Sequence, residues 1–247
     1  MREILVVNDD GIYGRGLDPL VRRMKELGEV TVVVPDQERS TASHSLTLHK
    51  PLRVKEVAKR TYILNGSPAD CTRFGILELL REKADLVVSG INQGLNLGED
   101  VIYSGTVAAA MEATMLEIPA LAVSQDLSEK SYFHAAAQIA SRIAQKIFRH
   151  GLPPGTSLNV NVPALPASQI RGILPTRLGK RLYGKKVTVR SDPRGHLYFW
   201  LIGKKVSGIA LPGSDVAAIQ RGWASMTPLK LDITDAEMLG QLKLWKW

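Results

Sequence analysis

One cysteine, Cys71, stands in 247 residues. A single thiol excludes an internal disulfide framework, and no partner thiol stands at zinc-ligand spacing. No apolar run approaches the length of a membrane span. The first residues enter a strand pattern directly, with no basic leader and apolar signal core. These absences predict a cytoplasmic protein that does not cross a membrane. Internal repeats and low-complexity tracts are also missing, and no histidine falls inside a motif.

Hydrophobic residues make up 45% of the chain, enough for one large domain or for one domain with an appended arm. The net charge is +8 and is unevenly placed. Ten Lys and Arg residues and one acid, Asp192, lie between Arg171 and Lys205, which leaves the remainder near neutral. Two readings of this segment stay open: a field that attracts polyanions, or a solvated β-arm whose lysines discourage edge pairing.

The stretch Ile4-Leu5-Val6-Val7-Asn8-Asp9-Asp10-Gly11 organises the sequence. Four apolar residues in a row predict a strand buried on both faces. It runs into two adjacent carboxylates, whose repulsion a divalent cation removes. A plain turn is the simpler reading of Asp-Asp-Gly alone, but ligands of open α/β sheets bind at the carboxyl ends of strands. Gly11, Gly14 and Gly16 follow as G-x-x-G-x-G, the wrong spacing for a dinucleotide fingerprint, so NAD is excluded.

The apolar spacing from Leu17 to Leu27 predicts a helix, and Val30 to Pro35 a second buried strand. A polar, hydroxyl-rich loop from Asp36 to Ser45 then reads as a turn or as a ligand arm over the first strand's acids. Leu46–Val57 and Thr61–Leu64 predict a marginal hairpin. Ser67-Pro68-Ala69-Asp70 is a helix start, with Ser67 as N-cap and Asp70 at N3; the helix is expected to reach about Lys83, with Cys71 packed inside it. Asp85–Gly90, Pro119–Ser124 and Ser157–Pro163 are further strands, and Ser131–His150 is an amphipathic helix closed by Gly151. The loop after Gly90 offers Asn92 and Asn96. Ser104-Gly105-Thr106 opens an alanine-rich helix, whose free amides and hydroxyls suit phosphate. Beyond Pro163 the rhythm changes: Ile170–Ile202 alternates like antiparallel strands, short helices begin near Pro212 and Asp232, and Trp245 and Trp247 end the chain.

Asp9, Asp10, Ser40, Asn92, Asn96 and the Ser104 helix start thus fall at one edge of one sheet. Oxygen donors beside an anion pocket point to metal-assisted phosphoester hydrolysis. At this point the sequence resembles the SurE (survival protein E) nucleotidases. The resemblance rests on Asn8-Asp9-Asp10-Gly11, Pro35-Asp36 with Arg39-Ser40, Gly66-Ser67-Pro68-Ala69-Asp70-Cys71, the run Ser89 to Gly98, and Tyr103-Ser104-Gly105-Thr106 through Glu112. Small departures are Ser67, where the family often has Thr, and Glu99, where Asp is common. The resemblance implies a phosphatase of nucleoside 5′- and 3′-monophosphates, with short polyphosphate a further substrate in some members. It implies one Mg²⁺ or Mn²⁺ ion on Asp9, Asp10, Ser40 and Asn92; the catalytic role of orienting the attacking water or acting as acid/base is expected of Asp9 or Asp10, and the sequence does not separate the two. Phosphate contacts fall on Asn96, Ser104, Gly105 and Thr106. A C-terminal extension exchanged between subunits implies a homodimer or homotetramer. The expected architecture is a Rossmann-like, mostly parallel α/β sheet: residues 1–165 as the catalytic core and 166–247 as a β-arm and helical extension that completes the fold and the oligomer interface.

Two other readings compete with this one. A haloacid-dehalogenase-type phosphatase needs acids two residues apart, but Asn8 occupies the nucleophile position. A non-catalytic nucleotide- or RNA-binding protein would use the basic 171–205 segment, with aromatics for base stacking. Tyr198, Phe199 and Trp200 are consecutive there and cannot all face one side. Lys185, Lys186, Lys204 and Lys205 are expected instead to draw in anionic substrates or to help dimerisation.

Overall fold

The computed structural model describes residues 1–127, 132–184, 187–201 and 207–245. Lys185, Lys186, Lys204, Lys205 and Trp247 lie outside these residues, as does Ser131 at the expected start of a helix.

The strands are β1 Glu3–Val7, β2 Glu29–Pro35, β3 Val54–Ala58, β4 Thr61–Leu64, β5 Leu86–Gln93, β6 Ala120–Gln125, β7 Thr156–Val162, β8 Ile173–Pro175, β9 Lys180–Leu182, β10 Thr188–Ser191, β11 Leu197–Trp200, β12 Ser207–Ile209 and β13 Ala224–Lys230. The helices are α1 Leu17–Lys25, α2 Pro68–Phe74, α3 Gly105–Met115, α4 Phe133–His150, α5 Asp215–Gln220 and α6 Ala236–Leu242. One sheet holds nine strands in the order β3-β4-β2-β1-β5-β6-β7-β13-β8. The six from β4 to β7 run parallel, while β3 and β13 are antiparallel to their neighbours β4 and β7. This is a mostly parallel α/β fold.

The continuous apolar run of β1 makes it a central strand. Ile4 and Val6 face one layer, packed with Leu17, Leu20 and Met24 of α1 and Ile139, Ile143 and Ile147 of α4. Leu5 and Val7 face the other, against Cys71 of α2 and Val107, Ala109 and Ala110 of α3. All four are fully buried, and burial of each such side chain favours folding by about 1.5–3 kcal/mol. From β1 the chain winds outward through β2 and β4, then returns to place β5 on β1's other side. The strand order therefore reverses between β1 and β5, and a crevice opens beyond their carboxyl ends.

Three local expectations are corrected. No strand covers Leu46–Arg53, because Thr47 is tied by its amide and hydroxyl to the two oxygens of Asp70, at 2.9 and 2.6 Å. The helix after Ser67 is regular only to Phe74 and continues as a π-turn over Gly75–Leu79. There Gly75 sits so close to the sheet that a Cβ would meet Leu5 at 2.7 Å. Among the described residues of the Ile170–Ile202 region, only β10 and β11 pair as neighbours; β9 pairs with β12, and β8 joins the main sheet parallel to β13. The capping box of Ser67 and Asp70 forms as expected. Cys71 is buried and unpaired, and burial holds its thiol well above the ordinary value.

No described helix is long and apolar enough to cross a membrane.

Candidate active site

Asp9 and Asp10 follow β1, and the bulge near the end of β5 brings Asn92 beside them. Gly11, at φ +78°, turns the chain immediately after the acids. The turn is held by Asn8, which accepts from the Gly11 amide at 3.0 Å and donates to its carbonyl at 2.8 Å. Opposite lies a cavity of about 630 Å³, lined by Asp9, Ser40, Thr41, Asn92 to Asn96, Asp100, Tyr103, Ser104, Tyr183 and Leu201. The fold thus unites Asp9, Ser40, Asn92, Asn96 and Ser104 around one space. Asp10 is half-buried beside Asp9, outside the lining.

Both carboxyls are electrostatically uncomfortable. Burial pushes Asp9 up, and the Thr106 hydroxyl, donating to Oδ1 at 2.6 Å, pulls against it. Asp10 is pushed up to about 7, by burial first and then by the charges of Asp9 and Glu38. Its Oδ2 is buried without a partner. An unpaired buried carboxylate oxygen is costly, and a cation is the group that would satisfy it. The neighbouring donors suit a hard ion. Ser40 gives its proton to Glu38, which leaves oxygen lone pairs. Asn92 donates to the Gly94 carbonyl at 2.9 Å, which leaves Oδ1 available. No three His, Cys, Asp or Glu side chains converge among the described residues, so the set that could hold an ion is two carboxylates completed by neutral oxygens, a composition that fits Mg²⁺ or Mn²⁺.

The phosphate candidates differ in detail from the sequence expectation. The Ser104 hydroxyl accepts from the Val107 amide at 3.1 Å as the α3 N-cap, and Thr106 already serves Asp9. Gly105 packs on Asp9, where a Cβ would meet the aspartate Cβ at 3.1 Å. In this structure, then, the anion at the positive end of α3 is Asp9 itself. Asn96 donates to Ser124 at 2.7 Å, and its backbone is clamped by Asn159 and Asn161 of β7 at 2.8–3.1 Å.

Several supports were not read from the sequence. Glu38, Ser124, Asn159 and Asn161 are among them; two asparagines two apart in a buried strand were the available signal, since buried amides need partners. Asp215, fully buried in α5, accepts from the amides of Gly98 at 2.9 Å and of Gly179 and Val216 at 2.7 Å. It ties the asparagine loop to the C-terminal region. That region also brings Tyr183, which donates to Asp100; Arg181 pairs with the same carboxylate at 2.7 Å. Burial and the Asp100 contact keep the Tyr183 phenol protonated well above its usual range.

His44 stands exposed on the hydroxyl-rich loop, yet its ring is tied to the body. Its Nε2 lies 2.8 Å from Oε2 of buried Glu112, whose Oε1 accepts from Arg73 at 2.6 Å. With Ser43, which bonds the carbonyls of Ile102 and Tyr103, and Ser45, whose carbonyl accepts from Ser67, this pins the hydroxyl-rich loop to the body. Burial alone would raise the Glu112 carboxyl, but the bonds from His44 and Arg73 outweigh it and lower the pKa. A depressed folded pKa means stability present above the unfolded value near 4.3 and lost as pH falls through the folded value. Glu112→Gln is therefore expected to lower the Tm at pH 7, with the difference from the parent shrinking as the pH falls through the depressed folded value of the carboxyl. Thermal melts across that range check this; a pH-independent difference would contradict it.

A doubly wound α/β protein with an acid-lined cavity at its switch point defines the class. Within it, the family model for Survival protein SurE matches residues 4–185, and the chain belongs to the SurE family. A 5′-nucleotidase SurE of Pelobacter propionicus is 49% identical over 98% of both chains, and one of Geobacter sulfurreducens is 46% identical over 98% of this chain and 93% of its own. The crystal structure of Sure protein from Aquifex aeolicus aligns with a TM-score of 0.87 at 40% identity, covering 98% of each chain.

Proposed function

We propose that this chain is a 5′-nucleotidase. Water attacks the phosphorus of a nucleoside 5′-monophosphate, the P–O bond to the sugar breaks, and nucleoside and inorganic phosphate leave. The orphaned oxygen of Asp10, beside Asp9 at the switch point, carries the reading, and the names of the relatives supply the substrate class. One Mg²⁺ or Mn²⁺ would be held by Asp9, Asp10, Ser40 and Asn92. Bound there, such an ion polarises phosphoryl oxygen and acidifies water. Thr106 fixes the orientation of Asp9, and either aspartate can orient the attacking water and take its proton. Asn96 and Ser104, which line the cavity, are assigned to the phosphoryl oxygens, where donors stabilise developing charge; Gly105 and Thr106, the other two residues expected there, are taken up by Asp9. The same chemistry extends to 3′-monophosphates and to the phosphoanhydride of short polyphosphate.

We also assign a homodimer or homotetramer, formed through residues 166–247. Leu197, Phe199 and Trp200 of the β10–β11 hairpin are each about 60% exposed, and α6 buries no residue; such apolar faces mark interaction surfaces. The lone buried thiol of Cys71 suits a reducing compartment such as the cytoplasm. The decisive experiment measures phosphate release from AMP and GMP in chelator and after adding Mg²⁺ or Mn²⁺, on material whose mass is fixed by light scattering. Activity is expected only with a metal, from a dimer or larger. Full turnover in excess chelator overturns the metal assignment, and a monomer at assay concentration overturns the assembly.

A further inference from the structure

The aspartate and serine donors line only part of the cavity. Another part is built by Tyr103, Tyr183, Leu95 and Leu201. The two tyrosine rings stand edge to face, with centroids 6.4 Å apart and planes at 82°. Such a pair makes an L-shaped corner, in which a flat ring can lie on one face and abut the other. The two rings come from distant parts of the chain. Tyr103 immediately precedes the α3 N-cap Ser104, and its carbonyl accepts from the Ser43 amide at 3.1 Å. Tyr183 follows β9 and is fixed by its bond to Asp100, which Arg181 also holds. Asp100 and Arg181 are both largely buried, so the Tyr183 ring is set in place before any ligand arrives. Phosphate hydrolysis alone does not require this corner.

We propose that the Tyr103–Tyr183 corner seats the nucleobase of the substrate, and that it holds the base by stacking instead of reading its edge. The inference rests on the nucleotidase reading and deepens it. The Tyr183 hydroxyl is committed to Asp100, and Leu95 and Leu201 carry no side-chain polar group. Tyr183, Leu95 and Leu201 therefore grip any base through its face, the sequence-tolerant mode of recognition. AMP and GMP are expected to be used alike, with the smaller pyrimidine nucleotides behind them. Asp100 acts as a positioning residue for Tyr183.

The experiment compares AMP with ribose 5-phosphate, which presents the same phosphoester without a base. It uses the full chain, its Tyr103→Ala, Tyr183→Ala and Tyr183→Phe variants, and the divalent metal that best supports AMP hydrolysis by the parent. The parent is expected to prefer AMP, chiefly through KM. Each alanine variant is expected to lose about tenfold of that preference, as expected for one stacking contact, while Tyr183→Phe keeps most of it because the ring remains. Parallel losses on both substrates, or unchanged AMP preference in both alanine variants, overturn the base seat while leaving the nucleotidase reading intact. Failure of the parent to release phosphate from either compound overturns both.

Discussion

Asp10→Asn is expected to abolish phosphate release while making the metal-free protein more stable. The two effects come from the same atoms. Burial and two neighbouring acids, Asp9 and Glu38, push the Asp10 carboxyl up to about 7, and its Oδ2 has no partner. Without a cation, removing that charge removes a repulsion that the fold otherwise has to contain, worth on the order of 1 kcal/mol. This corresponds to a rise of roughly 2–4 °C in Tm for a chain of this size. Activity moves the other way. A ligand to an ion that provides several kcal/mol of transition-state stabilisation is worth roughly a thousandfold in rate, at about 1.4 kcal/mol per factor of ten. A third readout joins them: Mg²⁺ or Mn²⁺ raises the Tm of the parent by mass action and leaves that of the variant nearly unchanged. Melts in chelator and in metal, together with AMP turnover, test the whole set. A variant within tenfold of parental activity, or one that melts lower than the parent in chelator, would show that Asp10 is an ordinary turn residue.

The opposed signs show why this part of the sequence was legible. β1 was readable because a strand buried on both faces leaves an unbroken apolar run, and Asp9-Asp10 was readable because no packing argument explains two acids at its end. Local rules also located the Ser67–Asp70 capping box and the stop at Gly151. What escaped depends on contacts between distant residues. β13 lies inside the main sheet, yet Pro228 in its middle argues against a central strand; the strand tolerates it because Pro228 is exposed there, opposite Leu158. The π-turn at Gly75 reflects how closely that helix approaches Leu5. Thr106 reads in sequence as a phosphate contact, and only the fold shows its hydroxyl turned to Asp9. The Glu112 clamp joins residues 68 and 39 positions away, beyond any pattern of spacing.

Gly16→Ala is expected to destabilise the fold severely, although it adds a single methyl group. Gly16 is the N-cap of α1, with φ −81° and ψ −16°, a right-handed conformation open to any residue. Backbone preference therefore contributes little, and the penalty is spatial. A Cβ there would sit 2.1 Å from the Ile91 carbonyl oxygen and 2.8 Å from its Cβ. The obstacle is the backbone of β5, which cannot rotate aside as a side chain can, so α1 or the end of β5 has to move. Overpacking of this kind costs about 3 kcal/mol or more, a fall of roughly 6–12 °C in Tm at this chain length. Movement of Ile91 also displaces Asn92, so the variant's stabilisation by Mg²⁺ or Mn²⁺ is expected to weaken alongside its fold. Gly240→Ala provides the contrast: it lies in α6 with nothing within 4 Å of a new Cβ. Alanine's higher helix propensity should leave that variant unchanged or about 0.5–1 kcal/mol more stable. Equal melting temperatures for Gly16→Ala and the parent would mean that α1 and β5 do not meet this closely, and that the packing of Gly16 on β5 plays no part in placing Asn92.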